Sequence, residues 1–125
     1  MKIRAGFVSN SSSSSFCAFG ISLGENAGEV FKGMFQELGL EYDYVEDING
    51  YESVENMIEF ALENIPMFSD FTYYGNYESD TIYFGRKYNN VDDNVTFGEF
   101  RNNVIEALEP FGDQPHYIEE AWMNY

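Results

Sequence analysis

One cysteine, one histidine and six lysines or arginines are all that these 125 residues offer of those types. The lone Cys17 excludes an intrachain disulfide, so no oxidising compartment is implied. With no cation beside it in sequence to activate it, the thiol is expected to be a buried structural group. A structural zinc site needs several Cys or His ligands, which one of each cannot supply. Any Ser-His-Asp or Cys-His machinery would have to use His116. Its context, Gln-Pro-His-Tyr, carries no nucleophile motif such as G-x-S-x-G. The cations Lys2, Arg4, Lys32, Arg86, Lys87 and Arg101 are scattered apart from the Arg86-Lys87 pair. The basic footprint for direct binding of nucleic-acid phosphates is therefore missing. Neither G-x-x-x-x-G-K-[ST] nor G-x-G-x-x-G occurs. No apolar run approaches the roughly 20 residues of a membrane span. Ala5 to Val8 is far too short for the apolar core of a signal peptide.

Acids and rings are what the chain has in quantity. Asp and Glu number 22, giving a net charge of −16. From Gly33 to Gly85 there is no Lys, Arg or His, while Glu37, Glu41, Asp43, Glu46, Asp47, Glu52, Glu55, Glu59, Glu63, Asp70, Glu78 and Asp80 fall there. Like charges so gathered repel and lower stability. They serve either as a solubilising coat or as a surface that attracts a basic partner. Hydrophobic residues make up 44% of the chain, with 12 Phe, 10 Tyr and 1 Trp. A chain of this size and content forms one folded domain, residues 1–125, with a core built mainly on rings.

Residues Ser9, Asn10, Ser11, Ser12, Ser13, Ser14, Ser15 and Phe16 follow Met-Lys-Ile-Arg-Ala-Gly-Phe-Val. Arg4, Gly6, Phe7, Val8 and this tract resemble an N-terminal block, R-x-G-F-V-S-N-S-S-S-S-S-F, of uncharacterised bacteriophage and bacterial proteins of differing length. The resemblance covers little more than the first tenth of the chain. It implies a genomic neighbourhood and carries no mechanism. Lacking a signal-peptide core or a membrane-length apolar run, the chain is expected in the cytoplasm of a bacterial or phage-infected cell. The tract itself reads as a polar loop or recognition handle, because Ser and Asn side chains compete for local backbone hydrogen bonds.

Local pattern outlines the fold. Residues 1–8 alternate as a strand, and Phe16 to Ser22, apolar on both faces, reads as a central strand pairing with them around the serine loop. Val30, Phe31, Met34, Phe35 and Leu38 give a helix over 27–38, ending at Gly39. Leu40 to Val45 reads as a short strand. Ser53 is placed as the N-cap of a helix whose apolar stripe is Val54, Met57, Ile58, Ala61, Leu62 and Ile65, stopped by Pro66. Asp70 to Tyr88, interrupted at Glu78-Ser79-Asp80, reads as a hairpin. Thr96-x-x-Glu99 opens a helix with Phe97, Phe100, Val104, Ala107 and Leu108 inward. After Pro115 either a short helix carrying Ile118, Ala121 and Trp122 or a terminal strand fits. The order, roughly ββαβαββα with a small terminal element, predicts an α+β domain: about three helices on a largely antiparallel sheet.

Function is less legible. An EF-hand loop with Gly50 at its invariant glycine would need acids where Val45 and Asn56 stand. Asp92-Asp93-Asn94 reads as an ordinary polar loop or part of an irregular cation site. No catalytic residue, metal ligand or cofactor is assigned. The favoured reading is a non-enzymatic interaction or accessory protein whose acidic face, Glu52, Glu55, Glu59 and Glu63, engages a basic protein surface. One form of it is nucleic-acid mimicry against a host nucleic-acid-binding protein. Steps of three or four helical residues space carboxylates about 4.5–6 Å apart, on the scale of backbone phosphates. The alternatives are a small enzyme with an acidic, divalent-metal-assisted site and a structural component of a virion.

Overall fold

The computed structural model describes residues 15–76, 78–88 and 95–121. Strand β1 (Ser15–Ser22) leads into helix α1 (Ala27–Glu37) and helix α2 (Tyr51–Asn64). A 3₁₀ turn, Pro66–Phe68, precedes the hairpin of β2 (Phe71–Asn76) and β3 (Thr81–Lys87). Helix α3 (Phe97–Ala107), a second 3₁₀ turn, Glu109–Phe111, and strand β4 (His116–Ala121) complete the order. The fold is α+β, with an antiparallel sheet ordered β2-β3-β1-β4. The expected strand over 1–8, the serines 9–14, the loop 89–94 and Trp122 lie outside the described residues.

β1 is central, as its two apolar faces predict. Its neighbours are β3 and β4, with Ala18 opposite both Lys87 and Ile118 and Gly20 opposite both Gly85 and His116. From Ala18 to Gly20 both sides of β1 are thus occupied without residues 1–8. Residues 116–121 are strand rather than helix, because the side of β1 from Ser15 to Gly20 pairs with them.

All three helices pack on one face of the sheet. The register puts Phe19, Ile21, Phe71, Ile82 and Phe84 on that face. They join Phe31, Phe35, Val54, Met57, Ile58, Ala61, Phe100, Val104 and Leu108 in one buried core. Phe31, Phe35, Phe68, Phe84 and Phe100 are fully buried within it. Each such ring contributes about 1.5–3 kcal/mol of burial, so this is the ring-built core that composition implies.

Helix ends follow local chemistry. α1 stops in a Schellman arrangement: Leu40 N–H donates to Phe35 O at 2.8 Å and Gly39 N–H to Gln36 O at 3.2 Å, with Gly39 at φ +72°. α3 opens on the expected capping box, Glu99 N–H to Thr96 Oγ1 at 3.1 Å and Thr96 N–H to Glu99 Oε1 at 3.2 Å. α2 starts two residues before the expected Ser53. Its N-cap is the extended Gly50, reached through a turn closed by Gly50 N–H to Asp47 O at 3.1 Å. Ser53 lies inside the helix.

Two further expectations are corrected. Residues 40–45 are not a strand. Leu40, Tyr42 and Tyr44 do share a side, but what they meet is rings. Tyr42 packs 5.4 Å from Phe35 and 5.0 Å from Phe60, so the segment lies on rings of α1 and α2. Phe97 belongs to the inward stripe by spacing, yet 56% of it is exposed. In the first turn of α3 its ring leans on Phe100 at 6.0 Å and leaves its outer side in solvent.

The opposite sheet face carries a smaller cluster of Phe16, Ala18 and Ile118, flanked by Tyr74 and Tyr83. Gly20 and Gly85 face each other at its centre, with no room for a β-carbon on either. Tyr74 and Tyr83 lean across this bare backbone, their rings parallel within 1°, and reach Phe16 at 5.7 and 6.5 Å. Phe16 is fully buried. It therefore leaves the candidate recognition block, being drawn inward as the first apolar residue of β1.

Candidate acidic interface

The carboxylates assigned to α2 divide. At 100° per residue, Glu52, Glu59 and Glu63 fall within about 40° of one another on one helix side, and all three are exposed. Glu55 is turned inward and only 9% exposed. It packs with Tyr51 over Gly75 of β2, where the missing side chain lets the helix approach the sheet. This corrects the four-residue acidic face to three. The helix rise leaves about 10.5 Å between Glu52 and Glu59 and about 6 Å between Glu59 and Glu63. Asn56, also exposed, stands in the gap. The even phosphate-like spacing needed for mimicry is broken there.

Glu59 is held in place: Tyr73 Oη donates to its Oε2 at 2.8 Å, tying the helix surface to β2. The loop between α1 and α2 adds exposed Glu41, Asp43, Glu46 and Asp47. Among the described residues none of these four, nor Glu52 or Glu63, forms an ion pair. The loop is anchored by its rings. Tyr42 and Tyr44 lie 5.1 Å apart, and Lys32 Nζ stands 5.3 Å over the Tyr44 ring. Burial first, then Tyr44 and Asp43, pushes the Tyr42 hydroxyl above its ordinary pKa, and burial alone does the same for Tyr44. The loop phenols thus stay neutral and the surface charge is carried by the acids.

Beside the N-terminus of α2 a cleft of about 270 Å³ has Leu23, Val54 and Ile82 in its wall and Glu25, Asp80 and Asn49 with them. Other candidate groups are dispersed. His116 is exposed on the edge strand β4. Cys17 is half-buried on β1 beside Tyr88, which donates to Glu119 Oε2 at 3.2 Å. Among the described residues no three His, Cys, Asp or Glu side chains gather into a metal cluster, and no helix is long and apolar enough to cross a membrane. Ser9 to Ser14 lie outside the described residues, and Ser15 opens β1 opposite Ala121. Sequence reading missed the Tyr88–Glu119 contact and a second cleft, lined by Pro66, Asp70, Arg86 and Glu106 among others, because both join residues from distant parts of the chain with no motif to link them.

Comparison with protein-family models, curated proteins and solved structures returned no match to this chain.

Proposed function

We propose that this is a non-enzymatic acidic interaction protein of bacterial or phage origin, working in the cytoplasm, that engages a basic protein surface through α2 and the preceding loop. The observation that carries this reading is the run of exposed acids Glu41, Asp43, Glu46, Asp47, Glu52 and Glu63 without ion pairs among the described residues. A coat that served folding alone would gain from interspersed cations, and between Gly33 and Gly85 the chain has none. The ring-anchored loop and the Tyr73–Glu59 bond support a preorganised surface, which lowers the entropic cost of association. The cleft at the start of α2 suits one basic side chain, its aliphatic stem on Leu23, Val54 and Ile82 and its head toward Glu25 and Asp80. Nucleic-acid mimicry is not carried further, since Glu55 is withdrawn from the stripe.

Affinity capture from bacterial lysate at low and high salt, with wild type beside Glu52→Lys/Glu59→Lys/Glu63→Lys, tests the proposal. The expected result is a discrete basic partner, retained by wild type at low salt and lost both at high salt and by the variant. Equal retention by both proteins at every salt concentration would refute it.

A further inference from the structure

We infer that the cleft at Arg86 binds a small zwitterion of the α-amino-acid class, with its carboxylate on Arg86 and its ammonium between Asp70 and Glu106. The cleft holds about 210 Å³ between the turn after α2, the start of β2 and α3. Arg86 enters it from the helix side of the sheet, in register with Phe19 and Phe71. Its guanidinium lies 5.2 Å over the Phe100 ring, and its side chain is only 17% exposed. A guanidinium carries five donors in a planar fork. The carboxylate it meets among the described residues, Asp70, stands 3.5 Å away and is 70% exposed. A bidentate charged pair closes to about 2.7–2.9 Å, so Asp70 does not fill the fork. A largely desolvated cation with unused donors favours a planar acceptor from outside.

The charges around it select against simple ions. Asp70 and Glu106 share the lining with Arg86, in a chain of net charge −16. A free carboxylate or phosphate is repelled by both acids, and a free amine meets the guanidinium. A molecule bearing both charges a few bonds apart satisfies all three. Asn103, one turn before Glu106 on α3, and Ser69 add neutral hydrogen-bonding groups. Pro66, Phe71 and the half-exposed Met67 give an apolar wall for a side chain. The volume is below the roughly 300–1,000 Å³ of sites for drug-sized ligands, which limits the occupant to amino-acid size. Glu52, Glu59 and Glu63 take no part, so this inference does not depend on the acidic interface.

The test is an NMR titration of the full chain, ¹⁵N-labelled, with L-methionine, N-acetyl-L-methionine and L-methioninamide. L-methionine is expected to give saturable shifts at Ser69, the Asn103 amide and the Arg86 Nε–H, with a Kd of about 1 mM or tighter. Each derivative lacks one charge and should bind about tenfold more weakly or worse. Arg86→Gln should abolish the shifts, and Glu106→Gln, at an exposed position, should weaken binding by about tenfold with melting unchanged. No saturable shift with L-methionine up to about 10 mM overturns the inference. So does N-acetyl-L-methionine binding as well as the parent, or wild-type titration by Glu106→Gln. Should Arg86→Gln fail to fold, the derivatives and Glu106→Gln decide.

Discussion

Gly75 stands so close to Glu55 that a β-carbon on the glycine would come 2.8 Å from the Glu55 Oε2. The Tyr51 hydroxyl comes closer still, so two side chains of helix α2 lie directly on the bare backbone of edge strand β2, and the acid is enclosed as a result. Gly75→Ala should push the Tyr51 hydroxyl and the Glu55 carboxylate from their places and destabilise by about 1–3 kcal/mol, as overpacking does. Glu55→Lys must place an ammonium in the same space and should cost more. Glu52→Lys, one turn away in solvent, should change stability by no more than about 0.5 kcal/mol. Urea unfolding of the three variants checks the order. Equal stability of Glu55→Lys and Glu52→Lys would contradict the enclosed position of Glu55.

The inner side of the same helix gives a second prediction. Met57 is buried against the sheet with Val54, Ile58 and Ala61. Met57→Asp buries an unpaired charge and should remove several kcal/mol, enough to unfold a domain of ordinary stability. Circular dichroism melting reads the result. A variant that melts with the wild type would show that this face of α2 is not in the core.

Much of this helix was legible in sequence, and the reason is physical. Spacing at i, i+3 and i+4 reports one helix side facing oil, so Val54 to Ile65 could be read without knowing the sheet. Glu55 could not, because its burial is decided by a glycine twenty residues later. The same limit explains Tyr42 and Tyr44. Their period of two was visible, but rings on α1 and α2 took the place of a strand partner. Phe16 was legible as the start of a strand apolar on both faces, but not its ring partners, because Gly20 and Gly85 let two tyrosines from distant positions reach it. Caps were legible where the motif is local, as at Thr96 and Gly39. The cleft at Arg86 was not, since its residues come from three separate stretches, 66–71, Arg86 and 103–107.

The capping box at α3 is a separable local device. Thr96→Ala removes the acceptor for Glu99 N–H and should destabilise by about 1 kcal/mol. Thr96→Asn should recover most of the loss, because Asn caps as well as Thr. Thermal melts of the two variants side by side test this. Equal loss in both would assign the effect to packing of the Thr96 methyl rather than to the cap.

Alkaline pH should report on Tyr88. Burial, then Cys17 and Glu119 beside it, pushes its pKa up to about 12 from an ordinary 10. The unfolded chain therefore loses this proton first as pH rises, and stability falls wherever the unfolded state binds fewer protons. The contribution is intact below about pH 10 and is lost progressively towards 12. Ultraviolet titration of phenolate absorbance should show a component near 12 that Tyr88→Phe removes. Denaturation of Tyr88→Phe should also fall less steeply across that window. A Tyr88 titrating with the exposed tyrosines would overturn the assignment.

The acidic interface makes the last prediction. Exposed charges are screened over about 8 Å at physiological ionic strength. Attraction to a basic partner should therefore act on encounter, with association slowing as salt rises and dissociation changing little. Reversal of Glu52, Glu59 and Glu63 to Lys should slow association in the same sense. Glu55 is left out, because its reversal would unfold what it was meant to probe. The triple variant should fold, and should gain stability if anything, since the change takes the chain from −16 to −10, six units of charge for three residues. Tyr73→Phe supplies a finer control. It removes the 2.8 Å bond to Glu59 and keeps every charge. A preorganised interface should then bind more weakly at all salt concentrations without losing its salt slope. A purely solubilising coat predicts partner binding indifferent to salt, to reversal and to Tyr73→Phe. Surface-immobilised partner with wild type and both variants flowed across it, at low and physiological salt, separates these outcomes.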